Sequence, residues 1–197
     1  MVDIPVLETE RLRLRGWRAE DREPFARLNA DARVMEFMAE PLTREQSDAL
    51  VDRIEAGFAE HGFGLWAVET KADHAFIGFV GLSVPRFSAP FTPCVEVGWR
   101  LAADVWGRGY ASEAARAALA FGFEVRELAE IVSFTTAANR RSRQVMERIG
   151  MRHRTQDDFA HPALPVDHPL RPHVLYRLGR VEWLARRELE RNPVRFA

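Results

Sequence analysis

Two glycines one residue apart, placed between a strand-like run and a helix-like run, are the positions in this sequence best suited to chemistry. They lie in Trp106-Gly107-Arg108-Gly109-Tyr110-Ala111-Ser112-Glu113. Without a Cβ, Gly107 and Gly109 let the backbone turn tightly and bring its N–H groups close to an anion. The first amides of the following helix are unpaired donors at the positive end of its dipole, so a phosphate or pyrophosphate is stabilised there. A second feature concerns charge. Of 28 basic residues only Lys71 is lysine, and Asn139 to Arg154 holds Arg140, Arg141, Arg143, Arg148, Arg152 and Arg154 against one acid, Glu147. Arginine's planar fork matches phosphate oxygens. The same run would serve equally well as a solvated helix face.

The elements that must position these residues follow from periodicity. Leu12 to Trp17 alternates apolar and polar, as a half-buried strand does. Ala19 to Ala32 carries Phe25, Leu28 and Ala32 at helical spacing. Thr43-Arg44-Glu45-Gln46 is a capping box that opens a second helix, with Leu50, Ile54 and Phe58 on one face, until Gly62 stops it. Phe63–Thr70 and Phe76–Val84 read as strands joined by a turn at Lys71 to His74, Pro85 to Pro93 as a loop, and Val95–Leu101 as a fourth strand. Tyr110 to Val125 then reads as a long helix, Ile131–Thr136 as a fifth strand and Asn139 to Ile149 as a helix ended by Gly150. A strand through Asp158, a Pro/His-rich loop, a strand at His173 to Leu178 and a helix from about Val181 complete the chain. This order predicts a mixed α/β layer fold with one strand-helix-strand crossover.

Composition bounds the function. A chain of 197 residues with 47% hydrophobic and 29% charged residues is ordinary for a globular protein, and residues 1–197 are expected to form one domain. The single cysteine, Cys94, excludes an internal disulfide. No apolar run reaches the ~18 residues of a membrane span, and Met1 to Gly16 lacks a signal-peptide core, so the expected location is the cytoplasm. A net charge of −1 gives no general pull toward nucleic acid or an anionic membrane.

Two familiar phosphate loops do not fit. A G-x-x-x-x-G-K-[ST] loop needs a lysine that is missing, and a dinucleotide G-x-G-x-x-G would place its third glycine at Ser112. The segment instead resembles the acetyl-CoA loop of the GCN5-related N-acetyltransferases (the GNAT family), Q/R-x-x-G-x-G/A. Gly109 and Ala111 fit, and Trp106 departs at the first position. The form W-G-x-G-Y-A-[ST]-E-A resembles the RimJ/RimL-like branch of ribosomal-protein N-terminal acetyltransferases. Three further segments resemble that branch in order and spacing: Leu7 to Arg15, Val97 to Leu101, and Asn139-Arg140-Arg141-Ser142 with Glu147 to Met151.

The resemblance implies a GNAT fold: a mixed central sheet of about seven strands with splayed fourth and fifth strands, flanked by helices on both faces. It implies acyl transfer from acetyl-CoA, without a metal, to a primary amine of a peptide N-terminus or small molecule, by direct attack through a tetrahedral intermediate. Carried over, Trp99, Arg100 and Leu101 would bind the pantetheine arm by main chain. The segment Trp106, Gly107, Arg108, Gly109, Tyr110, Ala111 and Ser112 would hold the pyrophosphate, with Asn139 and Ser142 closing over the arm. Arg108 and Arg143 are the candidates for the remaining phosphate. Asn139 would equally well cap its helix, and Trp99 and Trp106 would equally well be core aromatics.

A mostly protonated amine needs a base. Glu96 is the candidate, sharing a strand face with Gly98 and Arg100, with a salt bridge to Arg100 as the alternative use. Many relatives carry a tyrosine acid seven residues after the asparagine. Here that position is Met146, which cannot donate a proton, so Ser142 is the substitute. The acceptor site is expected near Met35 to Pro41 and around Asp157, Asp158 and His161. Homodimers are common in the family. A fold that binds acyl-CoA without turnover is the alternative reading.

Overall fold

The computed structural model describes residues 4–191; residues 1–3 and 192–197 lie outside it. Its nine strands are β1 (Leu7–Glu8), β2 (Leu12–Arg15), β3 (Leu65–Thr70), β4 (Phe76–Ser83), β5 (Glu96–Leu101), β6 (Glu130–Thr136), β7 (Arg152–His153), β8 (Phe159–Ala160) and β9 (Pro172–Gly179). They form one sheet in the order β1-β2-β3-β4-β5-β6-β9-β7, with β8 also paired to β9. All neighbours are antiparallel except β5 and β6, which run parallel across the crossover. The seven strands expected from periodicity are present, and β1 and β8 add two-residue pairings that alternation cannot reveal in so short a stretch.

The helices are α1 (Arg22–Ala30), α2 (Ala32–Met35), α3 (Arg44–His61), α4 (Tyr110–Ala120), α5 (Arg140–Arg148) and α6 (Arg180–Arg191). Local chemistry sets their ends. In α3 the Thr43 hydroxyl accepts from the Gln46 amide while the Gln46 side chain accepts from the Thr43 amide, and Gly62 closes the helix at φ +71°. Three expectations are corrected. The helix read over Ala19 to Ala32 is split, because Asp31 is extended and its carboxylate caps α2 through the Arg33 amide. The helix read to Val125 ends at Ala120 and continues as a π turn over Phe121–Val125, where Gly122 lies tight against Ile131 and Leu82. The strand read through Asp158 is only Arg152–His153, followed by a 3-10 turn at Thr155–Asp157.

Register decides which face each side chain meets. Phe79, Arg100 and Ala67 are cross-strand partners on one face, continued by Gly98 beside Gly81 and Glu96 beside Ser83. This face meets α1, where Phe25 packs edge-on to Phe79 at 5.9 Å. The opposite face carries Trp66, Val80 and Trp99, with Leu82 and Val97. Trp66 there meets Phe121 at 5.3 Å. Helices thus cover both faces, and the fully buried Trp66, Phe25, Phe58, Phe123, Leu12, Leu14 and Ile131 form the core.

Candidate functional site

The parallel pair β5 and β6 makes contact only at its start. Glu96 lies opposite Val132, whose amide donates to the Val95 carbonyl at 2.9 Å. Beyond that point β5 stays with β4 as far as Leu101, while β6 stays with β9 along its whole length, from Glu130 to Thr136. The two strands therefore diverge and leave backbone donors and acceptors of β5 facing a gap, which favours an amide-bearing ligand. One acceptor is used internally: the Leu101 carbonyl takes the Trp106 indole N–H at 2.9 Å.

The gap opens into a cleft of about 370 Å³ that ends at the start of α4. Gly107 and Gly109 have φ of +76° and +83°, a region where other residues are strained, and an added Cβ on Gly107 would meet nothing within 4 Å. Behind them Glu113 in the first turn of α4 accepts from the Thr9 hydroxyl at 2.6 Å and from the Arg11 backbone and side chain at 2.9 and 2.7 Å. Arg11 in turn donates to the Arg108 carbonyl at 2.9 Å. Burial draws the Glu113 carboxyl upward, but these donors outweigh it and hold it below the usual range. A segment a hundred residues away in sequence thus braces the glycine turn.

The cleft brings together Trp99, Arg100, Leu101, Trp106, Gly107, Gly109, Tyr110, Ala111, Ser112, Asn139 and Ser142. Asn139 serves two purposes. It caps α5 by accepting from the Ser142 amide at 3.1 Å and donates to Thr135, while still lining the cleft. Arg108 and Arg143 are not among the lining residues. Arg108 is exposed, and Arg143 donates to Tyr176 and to the Ala137 carbonyl. Of the arginine cluster from 140 to 154, the members that do line the cleft are Arg141 and Arg148. The Arg141 guanidinium lies 4.5 Å from the centre of the Trp106 ring and pairs with Glu36. The sequence held both in its arginine cluster, but helical spacing alone did not say which of them point inward. Phe37 and Met38 come from the Met35 to Pro41 segment expected near the acceptor, while Val34, Val105, Gln144 and Val145 line the wall without having been anticipated.

Glu96, where β5 still pairs with β6, is on the opposite face from Trp99 and is not among the residues that line the cleft. Burial pushes its carboxyl up to about 8, against a hydrogen bond from Ser83 that works the other way. No salt bridge joins it to Arg100 among the described residues. Arg100 instead points to α1 and the turn that follows α2. Its Nη1 donates to the Asn29 side chain at 2.7 Å, its Nη2 lies 3.7 Å from Met38 Sδ, and burial draws its pKa down to about 10.

Of the residues expected around the acceptor, Phe37 and Met38 line the cleft, whereas Asp157, Asp158 and His161 do not. Asp157 pairs with Arg177 and Asp158 with His153. His161 sits in a cluster with Phe87, Phe134, Phe159 and His173, where burial lowers the pKa of both imidazoles. Met146 is buried in the core. Among the phenols, Tyr110 lines the cleft and Tyr176 is buried, donating to Glu147 at 2.9 Å.

The chain and its fold have counterparts among known proteins. The sequence model of the Acetyltransferase (GNAT) domain matches residues 11–152. An uncharacterized protein of Bacillus subtilis (strain 168), YkkB, is 34% identical over 146 residues, 74% of this chain and 84% of its own. The FsC-acetyl coenzyme A-N(2)-transacetylase of Aspergillus fumigatus is 32% identical over 187 residues, 91% of this chain and 78% of its own. The crystal structure of a GNAT-family acetyltransferase from Bacillus anthracis has the same fold, with a TM-score of 0.74 at 24% identity over 90% of this chain and all of that one. With the family's model over more than two thirds of its length and relatives above 30% identity along most of it, the chain belongs to the GNAT acetyltransferase family.

Proposed function

We propose that the protein transfers an acetyl group from acetyl-CoA to the primary amine of a small molecule or peptide, by direct attack of the amine on the thioester carbonyl. The observation that carries this reading is the cleft between β5 and β6, which ends on paired positive-φ glycines at the start of α4. The residues fit the donor along its length. Free amides of Gly107 to Ser112 suit the pyrophosphate, Arg141 and Arg148 suit its charge, and the open edge of Gly98 to Leu101 suits the amides of the pantetheine arm. Glu96 removes the proton from the attacking amine, and Ser142 in the cleft wall supplies one to the departing thiolate. The name of the Aspergillus fumigatus relative gives acetyl coenzyme A as donor and an N(2) nitrogen as acceptor for that protein, which supports an amine acceptor here. The glycine loop and the Asn139 to Ser142 segment support a place in the RimJ/RimL-like branch.

Calorimetry tests the donor. Acetyl-CoA is expected to bind at micromolar level, about −8 kcal/mol, with NAD as a silent control; binding of NAD alone would overturn the reading. Thiol release on adding amines then tests turnover. Replacing Gly109 by Ala puts a side chain where φ is +83°, a strain of roughly 1–2 kcal/mol. The expected result is a Tm lower by about 4 °C and acetyl-CoA affinity about tenfold weaker. Glu113→Ala removes the brace behind the turn and is expected to weaken acetyl-CoA several-fold, with kcat at saturation nearly unchanged. A fall in kcat alone would place Glu113 in the chemistry.

A second reading, acyl-CoA binding without turnover, is favoured by one observation: Met146 fills a buried core position where many relatives carry a tyrosine acid. The Glu96→Ala/Ser142→Ala double variant separates the two. Thiol release that survives unchanged would remove both residues from the mechanism, and its absence in the wild type with every amine would leave the binding module.

A further inference from the structure

Arg100 is a half-buried cation on the cleft wall with only neutral partners. Asn29 and Met38 take its two terminal nitrogens, its Nε has no hydrogen-bond partner, and no carboxylate lies within 4.0 Å of the guanidinium among the described residues. The Phe79 ring, 5.6 Å away, is a weak substitute. A half-buried charge left in this state is costly unless an anion completes it. Arg15 shows the contrast: it is more deeply buried, at 5% exposed, and is held by two carboxylates.

The surroundings of Arg100 point to the anion. It lines the cleft beside Val34, Phe37 and Met38. It projects from the face of β5 that meets α1, away from the α4 face on which Trp99 lies, so the amides that suit a pyrophosphate are not its partners. Glu96 stands on the same face. Between the two is Gly98, where an added Cβ would meet nothing within 4 Å except Glu96 Oε1 at 3.8 Å. The face therefore presents a proton acceptor, a strip of bare backbone and an uncompensated guanidinium in sequence. Glu96 and Arg100 are two same-face steps apart, about 13 Å along the strand, but the Glu96 carboxyl leans back over Gly98, which leaves about one step, ~6.6 Å, for an amine and an anion a few bonds from each other.

We propose that Arg100 receives a carboxylate of the acceptor, so that the substrates are small amines that also carry a carboxylate, of the amino-acid type. The amine lies over Gly98 toward Glu96, and the carboxylate enters beneath Met38. The inference rests on the transferase reading above.

The test uses product analogues and does not require turnover. N-acetylglycine, N-acetyl-L-alanine and N-acetyl-L-phenylalanine, each beside its carboxamide, are titrated calorimetrically into the wild-type protein saturated with CoA. At least one acid is expected to bind about tenfold or more tightly than its amide. In Arg100→Met that preference is expected to vanish, the acid and its amide binding within about threefold of each other. The wild-type comparison of acid with amide stands by itself if the variant does not fold. Equal binding of acids and amides, binding of neither, or a preference that survives in Arg100→Met would each overturn the proposal. A tenfold loss of acetyl-CoA affinity in Arg100→Met would also overturn it and assign the guanidinium to the donor's phosphates. Acetyl-CoA titrated alone into the wild type keeps the two levels apart: failure there defeats the transferase reading, whereas donor binding without an acid preference defeats only the carboxylate.

Discussion

Glu96→Gln is expected to lower kcat for acetyl transfer by about 10²–10⁴-fold, the range for losing a positioned general base, with little change in acetyl-CoA affinity. Burial holds the wild-type carboxyl near 8, so only about one molecule in ten has an ionised base at pH 7. The rate should therefore climb between pH 7 and 9 and flatten above that, and the variant should lack this limb. A limb that survives in Glu96→Gln belongs to the acceptor's own amine, and Glu96 is then not the base. Removing the Ser83 hydroxyl, which favours the charged form, should move the limb to higher pH.

The same residue has a signature in stability. A carboxyl whose folded pKa is raised binds its proton more tightly in the native state. Its contribution is therefore present at acid pH and is lost as pH rises from the unfolded value of 4.5 through about 8. The loss has a ceiling of roughly 5 kcal/mol. Glutamine cannot ionise, so Glu96→Gln should match the wild type near pH 5 and exceed it in Tm at pH 9. Parallel Tm curves across that range would show that the carboxyl is not desolvated.

Arg15→Met is expected to cost about 3–5 kcal/mol of folding stability, a fall of about 10 °C in Tm for a chain of this size, read by scanning calorimetry. Arg15 is 5% exposed and lies between Asp21 and Glu69, 1% and 3% exposed, with hydrogen bonds of 2.7 and 2.9 Å to the first and 2.8 Å to the second. The network ties β2, β3 and the turn before α1 together, so removing the guanidinium leaves two carboxylates facing each other out of water. Burial raises the Glu69 carboxyl, but bonds from Arg15 and His74 outweigh it and hold the pKa below the usual value. That depressed group contributes stability above the unfolded pKa of 4.5, which fades as pH falls through the folded value. The gap between wild type and variant should thus be widest near neutral pH and narrow toward pH 4. A variant that unfolds within 2 °C of wild type at pH 7 would show that the ion network is dispensable.

Several features of the molecule were legible because their causes are local. The Thr43 to Gln46 capping box, the Gly62 and Gly150 helix ends and the Asn139 cap each depend on a few adjacent residues, and the structure has all of them. The glycine turn belongs to the same class, since positive φ at 107 and 109 is a property of single residues. The division of Ala19 to Ala32 at Asp31 was missed because a side chain that caps the next helix and one that simply sits in a helix look alike in a pattern of apolar spacing. The π turn after Ala120 was missed for a different reason: it answers to packing of Gly122 against Ile131 and Leu82, which come from other strands.

The sequence by itself determined the glycine turn of this protein, because positive φ at 107 and 109 is written in single residues whose backbone preferences need no partner. It also set the alternation that puts Glu96, Gly98 and Arg100 on one side of a strand. The tertiary structure alone decided what those side chains meet. It turned Arg141 and Arg148 into the cleft and Arg143 out of it, desolvated Glu96, and set Arg100 against Asn29 and Met38 with no carboxylate. Charge and burial at a site are sums over groups distant in sequence, and no local pattern carries that sum.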